Sequence, residues 1–359
     1  MLYINGRFLT QPMTGVERFA YNICMTLAEL HQPFTIVCPK APIHKGYDVS
    51  GLTIVHFGVG NSHFWEQCVF PWFFIGKKDY MVLSLTGLGS ILLRRKVMTI
   101  HDLSFLREPS WFSRSYYWFY RLMTPLAVRT SRHIITVSEF SKTEIRHFYP
   151  FVSDDKISVV YSAIRNDVFK SRTDIPASTE RFVLTVSSID PRKNFARLLE
   201  AFSGIDGIKL YIVGNYNPVF QKQEGLSSAR SDVRFLGRAT DDELIRLYNQ
   251  AECFVFPSLY EGFGLPPVEA MACGCPVVAS DIPVVREVCA DAAIYFNPLD
   301  PEDIRRAIKD QLESDESVIN EQRQRGFSNS RRYSWERSAV KIVDIVDRNL
   351  SKPRDRHNK

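Results

Sequence analysis

Cys253-Phe254-Val255-Phe256-Pro257-Ser258-Leu259-Tyr260-Glu261-Gly262-Phe263-Gly264-Leu265-Pro266-Pro267-Val268-Glu269-Ala270 is the stretch whose reading decides the fold. Its first four residues are a short apolar run, the pattern of a strand buried on both faces. Pro257-Ser258 ends that run, and Glu261-Gly262-Phe263-Gly264 predicts a tight glycine-bearing turn. Pro266 and Pro267 suit the opening of a helix, where a missing N–H is no loss. The helix carries Glu269-Ala270-Met271-Ala272 and ends at Gly274, a favoured residue just past a helix C-terminus. Pro276-Val277-Val278-Ala279-Ser280 then reads as a second buried strand. Such a turn exposes backbone N–H groups beside a helix N-terminus, which favours an anion or a dense set of hydroxyls. Glu261 and Glu269 bracket it, and carboxylates accept hydrogen bonds from vicinal hydroxyls. Taken alone, Glu-x7-Glu describes an ordinary surface. Strand, turn, proline-opened helix and second strand all agree here, and that agreement makes the pair a candidate site for a polyol.

Outward from this unit the same alternation fills the chain. Runs at Met1–Asn5, Phe34–Cys38, Leu52–Phe57, Tyr80–Leu85, Lys96–Ile100, His133–Val137 and Ile157–Tyr161 read as strands with helical segments between them. A polar linker over 165–180 follows. The pattern restarts with Phe182–Val186, Leu210–Val213, Val233–Leu236, Cys253–Phe256, Val277–Ala279 and Ala293–Phe296. Strands alternating with helices predict doubly wound parallel sheets, here α/β in two Rossmann-like domains. The expected boundaries are 1–165, 166–334, a last helix over 335–350 returning to the first domain, and a polar, disordered tail at 351–359. At 359 residues the chain is long enough for two such cores.

Hydrophobic residues at 45% and charged residues at 24% are those of a water-soluble globular protein. No apolar run has the length of a membrane span, and the first residues carry no charged-then-apolar leader, so the expected location is the cytoplasm. Seven cysteines, mostly in apolar contexts, read as reduced thiols packed like small hydrophobes. Cys273-Gly-Cys275 has no second Cys/His pair to complete a metal site. The formal charge of +5 conceals an asymmetry: residues 1–165 carry net +7 and the remainder net −2. A basic first half suits an anionic acceptor or an anionic membrane surface; it is too diffuse for nucleic acid.

In doubly wound sheets ligands bind beyond the carboxyl ends of strands. There the first half places Gly6, Thr14-Gly15, His101-Asp102 and Ser138, the last as a helix N-cap. The second half places Ser187-Ser188-Ile189-Asp190-Pro191-Arg192-Lys193-Asn194, whose adjacent cations suit a diphosphate. Val213-Gly214-Asn215 predicts a close backbone approach. Two aromatic clusters stand apart. In 63–74, Phe64, Cys68 and Trp72 share a helical spacing that predicts core packing. In 111–121, aromatics interleaved with Arg107, Arg114 and Arg121 suit either a membrane interface or the interior.

The stretch Phe256–Ala270, long and ungapped, resembles the donor-site signature of the retaining glycosyltransferases of family 4, and weaker family-like segments cover nearly the whole chain. The resemblance implies a GT-B fold, two Rossmann-like domains facing a cleft, and transfer of a hexose from a nucleotide sugar to a hydroxyl with retained configuration. It implies that Glu269 holds the ribose, Glu261 and the turn Gly262, Phe263, Gly264, Leu265 hold the hexose, and Arg192 and Lys193 neutralise the leaving diphosphate. No metal or other cofactor is then required, and the chain contains no Asp-x-Asp. His101 corresponds to a histidine near the sugar and the acceptor hydroxyl, and Gly15 to one of a glycine pair beside the diphosphate. Phe235-Leu236-Gly237-Arg238 resembles the loop that holds the nucleotide base, and Gly214, at the close backbone approach, is a further donor-binding candidate. Two departures stand out: Thr14 replaces the first glycine of the pair, and Ser188 replaces an arginine five residues before Lys193, leaving Arg192 as the second cation. The variants His101-Asp-Leu-Ser-Phe105 and Asp190-Pro-Arg-Lys-Asn194 look most like bacterial mannosyl- and rhamnosyltransferases of surface-polysaccharide and O-antigen (lipopolysaccharide) assembly. GDP-mannose is therefore the expected donor, with UDP- or dTDP-sugars as alternatives. The expected acceptor is a lipid-linked glycan met at the inner face of the cytoplasmic membrane. Rival readings are a catalytically inert nucleotide-sugar-binding assembly protein, a nucleotide-sugar epimerase, and an NAD-dependent oxidoreductase. The last requires a Gly-x-Gly-x-x-Gly that neither Asn5-Gly6-Arg7 nor Ser187–Lys193 supplies.

Overall fold

A computed structural model describes residues 1–188, 190–214 and 231–351. Ile189, Asn215 and the expected tail from 352 onward lie outside the described residues. The chain divides into two compact units, Met1–Ala163 with Trp335–Lys359, and Ile164–Ser334.

Unit 1 is built on a seven-stranded sheet of β1 (Leu2–Asn5), β2 (Phe34–Cys38), β3 (Ile54–His56), β4 (Met81–Ser84), β5 (Lys96–Ile100), β6 (His133–Thr136) and β7 (Ile157–Val159). The order is β3-β2-β1-β4-β5-β6-β7, every pairing parallel. Unit 2 carries β8 (Phe182–Val186), β9 (Lys209–Val213), β10 (Val233–Gly237), β11 (Cys253–Phe256), β12 (Val277–Ser280) and β13 (Ala293–Phe296). Their order is β10-β9-β8-β11-β12-β13, again parallel throughout. Parallel strands need crossovers that cover both faces, which is why β4, β5, β11 and β12 are buried at every residue. In each sheet the order turns back once, between β1 and β4 and between β8 and β11. Those two switch points are where loops diverge and leave a crevice for a ligand.

In unit 1, α1 (Gly15–Glu29) follows β1, and α2 (Arg114–Thr130) follows β5. In unit 2, α3 (Phe195–Phe202), α4 (Asp241–Gln250) and α5 (Leu265–Ala272) follow β8, β10 and β11. The last helix, α6 (Trp335–Leu350), belongs with unit 1: the Trp335 ring meets Phe19 of α1 edge-on at 5.7 Å, and Ser338 donates to the Tyr161 carbonyl at 2.7 Å.

The aromatic run at 63–74 departs from its expected packing. Phe64 and Trp72 are 62% and 67% exposed and Cys68 is exposed as well, while Trp65, Phe70 and Phe74 form the core there. The cause is local geometry. Trp65–Val69 is a π-helical turn and Phe70–Phe74 a 3-10 turn, so the 3.6-residue spacing that groups Phe64, Cys68 and Trp72 does not apply. The second cluster divides: Phe112, Tyr117, Phe119 and Tyr120 pack against the core, while Tyr116 and Trp118 are exposed. Six of the seven cysteines are buried, and all are unpaired thiols.

Candidate functional site

The switch point of unit 2 collects the candidate residues read from the sequence. After β8 the chain makes a 3-10 turn, Pro191–Lys193, capped by Asp190, whose carboxylate accepts from the Arg192 amide at 3.1 Å. After β11 it crosses Pro257-Ser258 and reaches Glu261. The two segments are joined directly, since the Leu259 amide donates to the Arg192 carbonyl at 2.8 Å. Here Lys193 Nζ donates to Glu261 Oε1 at 2.5 Å, with both side chains buried. Burial works to raise the Glu261 pKa, but the charges of Lys193 and Arg192 outweigh it and hold the carboxyl below the usual carboxylate range. The sequence reading gave Lys193 and Glu261 separate tasks; the fold makes them one ion pair. Arg192 stands at its edge, its Nε 3.8 Å from Asp190.

Asn194 fixes this arrangement, and the sequence reading assigned it nothing. It is buried, adopts a left-handed conformation at φ +60°, and its side-chain amide donates to the carbonyls of Pro257 at 3.1 Å and Pro298 at 2.7 Å. One side chain thereby ties the loops after β8, β11 and β13 together.

The turn before α5 depends on Gly264, the helix N-cap, at φ +96°. An L-residue there would be strained by that backbone conformation, although its Cβ would meet the Phe256 ring only at contact distance, 3.4 Å. Pro266 and Pro267 lie in the first turn, where they remove amides that have no helical partner. Gly262 and Phe263 are buried and Leu265 is half-buried as the first residue of the helix. The Phe263 ring turns into the unit, edge-on to Tyr333 at 5.1 Å, so this residue can offer a ligand its backbone but not its ring. Glu269 is buried one turn into α5 and accepts a 3.1 Å hydrogen bond from Tyr248 of α4. Burial beside the Glu269 carboxylate raises the Tyr248 phenol far above its ordinary value, so it stays protonated as a donor. Tyr248 went unread because its position in α4 marks it only as core, with Leu244 and Ile245.

Gly214 ends β9 against the same crevice. A Cβ there would lie 1.8 Å from the Ser187 carbonyl oxygen, and the Gly214 amide donates to the Gly237 carbonyl at 2.8 Å. The ends of β8, β9 and β10 are therefore in direct contact. Gly237 closes a β-bulge at the end of β10, and Arg238 beyond it is exposed.

Two candidates lie in unit 1. Gly15 is the first residue of α1, and a Cβ there would meet nothing within 4 Å, so no packing demand of the fold calls for glycine. Thr14 caps the helix in a reciprocal capping box with Glu17. His101, at the end of β5, places Nε2 2.8 Å from the Leu85 carbonyl, which makes that nitrogen the donor and Nδ1 the basic one. Burial lowers its pKa, so the ring is neutral, and Phe19 holds it edge-on at 5.1 Å. Asp102 turns away to cap the next segment, accepting from the Ser104 amide at 3.0 Å and hydroxyl at 2.6 Å.

A cavity of about 550 Å³ lies elsewhere in unit 2, lined by Asp167, Arg172, Asp174, Asp242 and neighbours; it contains none of these residues. Among the described residues no cluster of His, Cys, Asp and Glu could hold a metal ion, and no helix is long and apolar enough to cross a membrane.

Two switch-point crevices on parallel sheets define a two-domain Rossmann-like protein of the GT-B kind. The chain matches the description Glycosyltransferase Family 4 over residues 13–167 and Glycosyl transferases group 1 over 167–332, and it belongs to this glycosyltransferase family. It is 34% identical over 224 residues to the O-antigen chain mannosyltransferase RfbU of Salmonella typhimurium, an alignment covering 61% of each chain. It is 31% identical over 230 residues to the serotype-specific mannosyltransferase WbdA of Escherichia coli, covering 61% of this chain but only 28% of that protein. The chain thus spans little more than a quarter of WbdA. Among solved structures, sucrose-phosphate synthase from Thermosynechococcus elongatus superposes with a TM-score of 0.79 over 97% of this chain, at 19% identity.

Proposed function

We propose that the chain transfers a hexose, mannose from GDP-mannose as the first expectation, to a hydroxyl of a growing bacterial surface glycan. The observation that carries this is the buried Lys193–Glu261 pair at the switch point, flanked by Arg192 and by the left-handed Gly264 turn, with Glu269 one helical turn away. The cations suit a diphosphate, and the carboxylates suit the hydroxyls of a hexose and a ribose. RfbU and WbdA, both described as mannosyltransferases, support the choice of sugar. Arg192 and Lys193 supply positive charge for the departing diphosphate without a metal ion. The acceptor attacks on the donor's own face, so the anomeric configuration is retained.

Lipid linkage of the acceptor and contact with an anionic membrane belong to the same proposal. On α2 the exposed Trp118, Leu122 and Leu126 run one turn apart, flanked by the exposed Arg114, Arg121 and Arg129. Apolar anchors bordered by arginine match the chemistry of an anionic bilayer surface. Vesicle flotation tests it: binding to phosphatidylglycerol vesicles, lost in Trp118→Ser/Leu122→Ser and absent with phosphatidylcholine, is expected.

The donor reading is tested by thermal stabilisation with a panel of nucleotides and nucleotide sugars, with and without EDTA. A shift specific to guanine nucleotides, unchanged by EDTA and lost in Glu269→Ala, is expected. A shift only with uridine or thymidine nucleotides would replace the donor, and stabilisation by NAD alone would overturn the assignment. NMR of the product reads its anomeric configuration. Nucleotide binding without turnover of any donor sugar would favour an inert assembly protein.

A further inference from the structure

The switch point of unit 1 carries a second built constellation. Asn5 ends β1, and Arg7 follows it in the 3-10 turn Gly6–Thr10; both are buried. Facing them is Glu66, 1% exposed, in the π-helical turn Trp65–Val69. That wider turn is rare and recurs at functional sites. Gln67 staples it in place, donating to the Gly89 carbonyl at 2.9 Å and accepting from the Ile91 amide at 3.0 Å, on the loop that follows β4.

Asn5 donates to Glu66 Oε1 at 2.7 Å. Arg7 Nε stands 3.6 Å from that oxygen, and His63 Nδ1 stands 3.6 Å from Oε2. Arg7 Nε, His63 Nδ1 and Glu66 Oε2 are buried atoms without a hydrogen-bond partner. Burial works to raise the Glu66 pKa, but Arg7, His63 and Asn5 outweigh it, so the carboxylate is ionised. On the other side, His63 Nε2 lies 3.4 Å from the Tyr120 hydroxyl, and the imidazole packs on Phe119 at 4.7 Å between centroids. The His63 side chain is 32% exposed and Tyr120 half-buried, so these two form the rim.

Charge decides what could bind. Glu66 cancels Arg7, whereas at Lys193–Glu261 the further guanidinium of Arg192 leaves positive charge in excess; a phosphate brought to Arg7 would meet a buried carboxylate without that excess. A neutral polyol meets no such conflict: hydroxyl oxygens accept from the guanidinium and the phenol, and the ring's C–H face lies on the aromatic rim. We propose that Arg7, His63 and Tyr120 form a saccharide-binding subsite that engages a sugar ring of the acceptor, with Glu66 and Asn5 as its positioning residues. The assignment to the acceptor rests on the glycosyl-transfer reading; saccharide binding itself does not.

The test uses the full chain with octyl α-D-mannopyranoside and octyl β-D-glucopyranoside as saccharide probes and inorganic pyrophosphate as the anion probe, read by calorimetry. The wild type is expected to bind one of the two glycosides. Arg7→Lys should weaken that binding about tenfold and Tyr120→Phe about threefold, with the thermal shift by nucleotides unchanged. Glu66→Gln frees the Arg7 charge, so it should lose the glycoside and gain a pyrophosphate site, a change that a merely structural role would not produce. Tyr120→Phe removes only a rim hydroxyl and keeps the test decisive if Glu66→Gln fails to fold. Absence of glycoside binding by the wild type, equal binding by Arg7→Lys and Tyr120→Phe, or displacement of the glycoside by pyrophosphate would overturn the proposal. Glycoside binding without turnover of any nucleotide sugar would overturn the transferase reading and leave the subsite standing. Turnover whose acceptor KM is unchanged in Arg7→Lys would remove the subsite alone.

Discussion

Replacing Glu261 by alanine leaves Lys193 buried and without its carboxylate. At 2.5 Å the gross attraction of the pair is about 6–7 kcal/mol for an effective dielectric near 20. Desolvating the two ions opposes this by several kcal/mol each, so the intact pair contributes little net stability over apolar residues of equal volume. Removing one partner is different, because the remaining charge keeps its desolvation penalty; about 3–5 kcal/mol should be lost. The double replacement Lys193→Met/Glu261→Leu should return to within about 1–2 kcal/mol of wild type, while donor turnover is abolished in both. The assay must read unit 2 separately. All five tryptophans, at 65, 72, 111, 118 and 335, belong to unit 1, so fluorescence in urea follows unit 1 and circular dichroism follows both. Glu261→Ala should advance the dichroism transition and leave the fluorescence transition in place. A loss below about 1 kcal/mol, or a double variant as unstable as the single one, would refute the argument that a buried ion pair is kept here for a ligand.

Other expectations follow from the same geometry. Gly214→Ala drives a Cβ into the rigid Ser187 carbonyl, so unit 2 should lose about 3 kcal/mol or more and nucleotide stabilisation with it. Tyr248→Phe removes the hydrogen bond to Glu269; unit 2 should weaken by about 1–2 kcal/mol, and nucleotide affinity, read by calorimetry, should fall about tenfold. Asn194→Ala orphans the Pro257 and Pro298 carbonyls and should destabilise unit 2 by about 2–4 kcal/mol in the dichroism assay. Because the Glu261 carboxyl is held below its ordinary value near 4.3, its contribution is complete above that pH and is lost as pH falls through the depressed folded value. The stability gap between wild type and Glu261→Gln should therefore narrow on acidification, and a gap that widens would contradict the ion pair.

The sheets were legible because buried parallel strands are mostly apolar on both faces: Lys96–Ile100, Phe182–Val186 and Cys253–Phe256 have the same ends in sequence and structure, as does the half-buried edge strand Ala293–Phe296. The turn before α5 was legible for a chemical reason, since few residues other than glycine reach φ +96° and few helices open on two prolines by chance. What escaped is what depends on partners distant in sequence. Asn194 and Tyr248 look like a loop residue and a core aromatic until Pro257, Pro298 and Glu269 are brought beside them. Phe64, Cys68 and Trp72 were misplaced because a periodicity argument presumes an α-helix, and a π turn shifts the register of every residue after it. One local sign of that site was present all the same: Glu66 is an acid inside Phe-Trp-Glu-Gln-Cys-Val-Phe, where a charge has no place without a buried partner.

The last helix packs on the first unit, so the polypeptide leaves unit 1 at Ala163 and re-enters it at Trp335. Unit 2 is in effect an insertion between two pieces of unit 1, and the order of synthesis then matters. At about 5–20 residues per second, the nascent first piece waits on the order of ten to thirty seconds before its closing helix is made. During that interval the groove that receives Ala339, Ile342, Ile345 and Val346 has no lid. A chain whose residues from Trp335 onward are still inside the ribosomal exit tunnel, with Ile304, Ala307 and Ile308 of the unit 2 core already outside, would hold one finished domain and one open one, and the open one is where a chaperone should bind.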